Sequence, residues 1–259
     1  MILVTGATGN VGSALLRQLV ASGTRVRCLV RDPRRLGPER VRVQIALGDL
    51  AEPFSFRNAL RGVDTVVHLA AAIRDQPRAS LEELNAVATL RLLRAAERAG
   101  VERFLFFSAL GASLTSRAPF FRAKALAERS VESSPLQTVV FAPSIVYSPS
   151  DPFLTLLERM SLLPVMPISG SGQAAFQPIW AEDVMIALVT ITVDSRGSRV
   201  AFIHYVPIWV RHPDYVVLPA GIAWRTDPAD AAELRASYRR TVATVGRGPR
   251  VQPIPASLG

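Results

Sequence analysis

Thr5-Gly6-Ala7-Thr8-Gly9-Asn10-Val11-Gly12 decides the fold, because a short apolar run enters it and an amphipathic helical pattern leaves it. Ile2, Leu3 and Val4 read as a buried parallel strand, and Val11, Leu15, Leu16 and Leu19 recur at helical spacing, so the three glycines occupy a strand-to-helix turn. Glycine meets three needs there: positive φ in the tight turn, room for a pyrophosphate to approach backbone N–H groups, and close packing of helix against strand. The helix N-terminus then faces the phosphates. A glycine-rich turn without a ligand is the plainer alternative, and the agreement of strand, helix and spacing weighs against it.

Working outward, short apolar runs keep alternating with amphipathic stretches, which predicts an α/β protein with a doubly wound parallel Rossmann sheet. The strands are expected at Ile2 to Thr5, Arg25 to Val30, Val41 to Ala46, Thr65 to Leu69, Arg103 to Ser108 and Gln137 to Ala142. Helices are expected at Val11 to Ser22, Leu81 to Ala99 and Phe120 to Ser133, with a short turn near Phe54 to Leu60. After Pro143 the connections become proline-rich, through Pro149, Pro152, Pro164 and Pro167, and an amphipathic stretch runs from Ala181 to Val193. This part reads as a small C-terminal substrate-side lobe. The expected division is a Rossmann domain over residues 1–193, including substrate-side segments 143–193, and a divergent tail over 194–259, irregular or partly disordered.

A chain of 259 residues with 49% hydrophobic and 20% charged residues can bury a full core. The one cysteine, Cys28, excludes an internal disulfide framework and reads as a small buried hydrophobe in a reducing compartment. No apolar stretch reaches the length of a spanning helix, and the first strand leaves no room for a signal peptide, so a cytoplasmic location is expected. The net charge of +9 invites a polyanion partner, but Arg31, Arg34, Arg35, Arg40 and Arg42 are the densest early group and no aromatic-interleaved stripe accompanies them. A solvated arginine-rich surface is the preferred reading. It predicts no specific nucleic-acid partner and leaves an acidic protein partner or peripheral contact with an anionic membrane open.

Ligands of such sheets bind beyond the carboxyl ends of the strands, so the residues there carry the functional expectations. The second strand ends in Val30, followed by Arg31 and Asp32, where an acidic tip would take ribose hydroxyls and an arginine a 2′-phosphate. Arg31 therefore favours NADP(H) over NAD(H), with Arg34 or Arg35 able to assist. Gly48-Asp49-Leu50 puts a carboxylate where an adenine amino group would lie, or serves as a turn or helix cap. Ala70, Ala71 and Ala72 are small enough for backbone to lie against the cofactor, while His68 reads as a satisfied core histidine rather than a catalyst. With three histidines and one cysteine, no zinc site is expected.

The order of the TGATGNVG turn, Gly48-Asp49-Leu50, Asn85, Ser108, Lys124 four beyond an aromatic, and Pro143-Ser144-Ile145-Val146-Tyr147 resembles an atypical short-chain dehydrogenase/reductase. More narrowly, Arg103 to Gly111, Asp151-Pro152-Phe153-Leu154 and Phe176-Gln177-Pro178-Ile179 resemble bacterial relatives of the NAD(P)H-binding accessory subunit of respiratory complex I, over about residues 1–193. The resemblance implies cofactor contacts from Gly6, Thr8, Gly9, Asn10, Val11, Gly12, Arg31, Asp49, Leu50, Ala70, Ala71, Lys124, Pro143 and Val146. It also implies a Ser/Tyr/Lys set in which tyrosine exchanges the substrate proton, lysine binds the ribose and serine polarises the carbonyl. Ser108 and Lys124 match, and Phe120 stands at the tyrosine position.

Phenylalanine has no proton to give, and losing a general acid forfeits on the order of 10²- to 10⁴-fold in rate. The expected function is therefore NAD(P)(H) binding with redox catalysis weakened or absent, in a structural, assembly or sensory role. The alternative is an NADPH-dependent reductase or epimerase-like enzyme whose proton comes from Lys124, Tyr147 or water. A redox-sensing regulator similar to the NmrA group is a third reading. Asn85 is expected to hold its helix near the active centre, and Glu182-Asp183 to form the acidic first turn of the last clear helix.

Overall fold

The structure is a computed structural model that describes residues 1–76, 79–148, 151–162, 179–181, 184, 208–211, 217–218 and 221–222. Six parallel strands form its centre: β1 (Ile2–Thr5), β2 (Val26–Val30), β3 (Gln44–Leu47), β4 (Thr65–His68), β5 (Arg103–Phe107) and β6 (Gln137–Pro143). Their spatial order is β3-β2-β1-β4-β5-β6, the doubly wound arrangement. Strand order runs outward from β1 to β3 on one side and from β4 to β6 on the other, so β1 and β4 flank the switch point, beyond whose carboxyl ends the ligand crevice of such sheets is expected. Thr5 is in register with Leu29 on one side and His68 on the other.

Alternation along β1 shows why the strand is apolar throughout. Ile2 and Val4 face one core layer, with Leu15, Leu16 and Leu19 of helix α1 (Asn10–Ala21), while Leu3 faces the other. That second layer is closed by Phe56 of the short helix α2 (Pro53–Phe56), by Leu92, Leu93 and Ala96 of α3 (Ala88–Arg98), and by Ala127 and Val131 of α4 (Pro119–Glu132). A strand covered on both faces must be apolar at successive positions, so the continuous runs, rather than alternating ones, marked this sheet.

The expected six strands all form, with one shift. Val41 ends a 3₁₀ segment, Pro33–Val41, and is 82% exposed; β3 starts three residues later at Gln44. Gly37 at φ +63 and Pro38 keep that connection from becoming a regular helix. A single π-helical turn at Glu83–Val87 interrupts the expected 81–99 helix ahead of α3, which periodicity does not reveal.

Beyond β6, strand β7 (Val146–Tyr147) pairs in parallel with β8 (Ile179–Trp180), and helix α5 (Pro152–Ser161) lies between them in sequence. Strand β9 (Ile208–Arg211), in the stretch where the sequence shows no clear periodicity, adds antiparallel to β6 as a seventh strand. Strands β10 (Val217–Leu218) and β11 (Gly221–Ile222) form a separate hairpin pair. Most of the expected Ala181 to Val193 helix, the Glu182-Asp183 pair, the boundary at 193 and most of the tail lie outside the described residues.

Candidate functional site

Gly6 ends β1 at φ +74, and a Cβ there would stand 2.5 Å from the Ala70 nitrogen. Gly12 is tighter still: a Cβ would lie 2.1 Å from the Gly6 carbonyl oxygen and 2.8 Å from Ala7 Cα. Gly9 differs, since its Cβ would meet only the Gly6 oxygen at 3.4 Å. Gly6 and Gly12 therefore serve packing, and the turn presents its open side at Gly9. The first intrahelical bond of α1 is Ser13 N–H to the Gly9 oxygen, 2.8 Å, so the amides of Asn10, Val11 and Gly12 have no partner within the helix. Three N–H groups at the positive end of a helix dipole are the arrangement that suits a phosphate. Thr8 lies in this turn and Val11 packs against the adjoining core.

One member of the turn makes a contact that sequence reasoning did not supply. Asn10 Nδ2 donates to Asp151 Oδ2 at 3.1 Å, across 141 positions. Asp151 also caps α5 by accepting from the Leu154 amide at 3.1 Å. The segment after β6 is thereby tied to the glycine turn. Only an aspartate one residue before a proline-started helix hinted at the cap, and nothing local hinted at its second partner.

At the end of β2, Arg31 is exposed and its Nη1 lies 3.8 Å from Asp49 Oδ2. Asp49 Oδ1 accepts from the Ala51 amide at 3.0 Å, so the carboxylate both closes its turn and faces the arginine. Leu50 packs against the second core layer. Asp32 is engaged by Arg34 through backbone and guanidinium, and these hydrogen bonds hold its carboxyl below the usual range. Arg34 is thus committed to Asp32, and Arg31 directly follows the last residue of β2.

The backbone from Leu69 to Ala72 runs past Gly6, with Ala70 half-buried and Ala71 exposed. Asn85 fixes its far end: Oδ1 accepts from the Ala72 amide at 3.1 Å, while Nδ2 donates to the carbonyls of Ala72 and Leu81 at 2.9 Å each. His68 is wholly buried, hydrogen-bonded through both ring nitrogens and stacked on Phe106. Burial, then the nearby Lys124 charge, lowers its pKa to about 3, so it is neutral at ordinary pH.

Ser108, Lys124 and Phe120 converge at the carboxyl end of β5. Lys124 Nζ donates to the Phe107 oxygen at 2.7 Å and lies 4.8 Å from the Phe106 ring centroid and 5.9 Å from that of Phe120. Burial lowers its pKa to about 7, partly offset by Glu128 one helical turn away, which favours the ammonium. Ser108 is 4% exposed, and its Oγ is a buried oxygen with no hydrogen-bond partner among the described residues. Such an orphan costs about 1–3 kcal/mol unless a ligand or water meets it. Pro143 is buried, its carbonyl accepting from Leu110 at 2.7 Å, and Val146 packs on the first core layer. Tyr147 stands edge-on to Trp180 at 5.2 Å.

These features fit a dinucleotide laid across the β1/β4 crevice: a phosphate cradle at one end, a cation at the adenosine side, and an unsatisfied hydroxyl with a buried amine at the other. Buried Cys28 has its thiol pKa pushed up to about 12, which makes it inert. Among the described residues no group of three or more His, Cys, Asp or Glu side chains could hold a metal ion, and no helix is long and apolar enough to cross a membrane.

Comparison with known proteins agrees with this geometry. A family model described as NAD(P)H-binding matches residues 6–153. Sterol demethylase protein B of Methylococcus capsulatus is 42% identical over 113 residues, covering 42% of this chain and 34% of that protein. Photosystem II assembly factor Ycf39 of Cyanophora paradoxa is 31% identical over 141 residues, or 54% and 44% of the two chains. The mitochondrial NADH dehydrogenase [ubiquinone] 1 alpha subcomplex subunit 9 of Arabidopsis thaliana is 30% identical over 210 residues, covering 75% and 50%. Among solved structures, MoeE5 in complex with UDP-glucose and NAD superposes with a TM-score of 0.62 at 28% identity, covering 76% of this chain and 73% of that one. The chain spans about a third to half of the length of these three relatives.

Proposed function

Because the chain belongs to the NAD(P)H-binding family, in its atypical short-chain dehydrogenase form, we propose that it binds NADP(H) in the β1/β4 crevice while redox catalysis is weakened or absent. The observation that carries this reading is Phe120, a side chain without a proton to give, 5.9 Å from the buried Lys124 amine in a chain that keeps the glycine turn. Gly6, Thr8, Gly9, Asn10, Val11 and Gly12 would hold the pyrophosphate. Arg31 would meet a 2′-phosphate, with Asp49 and Leu50 at the adenine. Ala70 and Ala71 would lie along the middle, and Ser108, Lys124, Pro143 and Val146 at the nicotinamide end. Phe120 can fill space against the bound ring but cannot exchange a proton. The role is then structural, assembly-related or sensory, and a protein partner is part of it. An assembly factor and a respiratory-complex subunit among the relatives support that role. A cytoplasmic location, and a Rossmann domain ending near residue 193, belong to the same proposal.

A second reading is favoured by one observation: Lys124, with a pKa near neutrality, lies at the same strand end as the orphaned Ser108 hydroxyl. Bound NADPH supplies a hydride. Lys124 Nζ would then deliver the proton to a substrate oxygen that Ser108 Oγ polarises. Titration with NADPH and NADH by calorimetry or fluorescence tests the first reading, which fails if neither binds at millimolar concentration. A carbonyl panel then separates the two: Phe120→Tyr is expected to create NADPH oxidation where the parent shows none, whereas turnover by the parent favours the lysine-based enzyme.

A further inference from the structure

Four buried side chains, Thr5, His68, Asn85 and Thr89, each no more than 1% exposed, form a hydrogen-bonded chain between the glycine-turn strand and the helix segment behind it. The direction of every bond in this chain follows from which atoms carry protons. Thr89 Oγ1 lies 2.5 Å from the Asn85 carbonyl, which can only accept, so the one hydroxyl proton of Thr89 is used there. Toward His68 Nε2, at 2.9 Å, Thr89 can then only accept, so Nε2 carries the ring proton. The neutral ring leaves Nδ1 bare, and Thr5 donates its hydroxyl proton to it at 2.6 Å. Thr5 Oγ1 keeps a lone pair that faces the Ala70 amide at 3.4 Å. The sequence of donors therefore runs Ala70 N–H to Thr5, Thr5 to His68, His68 to Thr89, and Thr89 to Asn85.

The chain closes on itself. Asn85, which receives the last bond through its backbone, grips both the amide and the carbonyl of Ala72 with its side chain. One end thus holds Ala70 and the other Ala72, the two ends of the short backbone segment that passes Gly6. Thr5, the residue before Gly6, is its first link.

We propose that His68 is a positioning residue for the dinucleotide: as the neutral Nε2–H tautomer it locks the Ala70–Ala72 backbone against the Gly6 turn, setting the width of the crevice between β1 and β4. This rests on the dinucleotide reading above. Thr89 touches neither cofactor-facing segment, so Thr89→Val cuts the chain at a distance while keeping its shape. The ring also lies near the Lys124 ammonium, so a protonated His68 would add a second cation there and lose the Thr5 donation.

The test has two arms. In the parent protein, nitrogen-correlated NMR of the imidazoles should show His68 with a protonated Nε2, a bare Nδ1 and no titration between pH 8 and about 5.5, far above its lowered value. A protonated Nδ1, or titration in that range, overturns the proposal. In the second arm, NADPH affinity is measured well below the unfolding temperature for the parent, Thr89→Val and Thr5→Val. Each variant should bind about five- to tenfold more weakly, the scale of one buried hydrogen bond transmitted to binding. Folded variants that bind with the parent's affinity show that the chain serves stability alone. If the parent itself binds no dinucleotide, the functional reading fails first and this proposal with it. Where a valine variant does not fold, Thr89→Ala or Thr5→Ala, which also removes the hydroxyl, is titrated in its place, and unchanged NADPH affinity overturns the positioning role.

Discussion

Replacing Lys124 by methionine should flatten the pH dependence of stability between pH 7 and 9. Burial lowers the Lys124 pKa from 10.5 to about 7, so over that interval the unfolded chain holds a proton that the folded chain releases. Stability therefore rises with pH, because the unfolded state binds more protons. Integrating the linkage from pH 7 to 9 gives a gain of about 2 kcal/mol, out of a total penalty of roughly 4–5 kcal/mol for keeping the ammonium buried at neutral pH and below. The upper limit is set by Cys28, whose raised pKa of about 12 makes stability fall once unfolded thiols ionise above pH 9. Urea unfolding at pH 7, 8 and 9 reads the effect as a rise in midpoint on the order of 1 M for the parent. Groups common to both proteins cancel in the difference, and Lys124→Met is expected to lack that rise. A variant that keeps the parent's full slope would refute the claim that Lys124 is held against its hydration in the folded state.

Gly12→Ala should destabilise the protein by about 2 kcal/mol or more and abolish dinucleotide binding, since its Cβ would meet the Gly6 oxygen at 2.1 Å. Gly9→Ala, with 3.4 Å available, should leave the unfolding midpoint within about 0.5–1 kcal/mol of the parent and weaken only NADPH binding, measured by calorimetry. Arg31→Ala is expected to lower NADPH affinity about tenfold with little change for NADH, as judged by paired titrations. Equal losses for both cofactors would remove Arg31 from the 2′-phosphate. Asp151→Ala removes the cap of α5 and the partner of Asn10, and should cost about 1 kcal/mol in urea unfolding.

The sheet was legible because a strand buried on both faces cannot hide its composition. Ile2 to Val4, Val66 to Val67 and Phe104 to Phe106 are apolar runs with no polar face to dilute them. The start of β3 was misplaced because Val41 is as apolar as a strand residue yet lies exposed at the end of a 3₁₀ segment. The pairing of β9 with β6 gave no local signal, since an antiparallel edge strand is chosen by a neighbour 71 positions away in register, as between Val140 and Arg211. In the candidate site, the residue types of the glycine turn, Ser108, Lys124 and Phe120 could be read directly, because each is a statement about residue type at a fixed place, whereas their contacts could not.

The sequence by itself determined a parallel doubly wound sheet with a three-glycine strand-to-helix turn, because those properties depend on local periodicity and on where glycine is tolerated. It also determined that position 120 has no proton donor, which no fold can supply. Only the tertiary structure decided the partners: Lys124 donates to the Phe107 carbonyl with the Phe106 and Phe120 rings 4.8 and 5.9 Å away, and His68 is buried between Thr5 and Thr89. Those outcomes depend on desolvation and on contacts between residues far apart in the chain, which a sequence pattern does not encode.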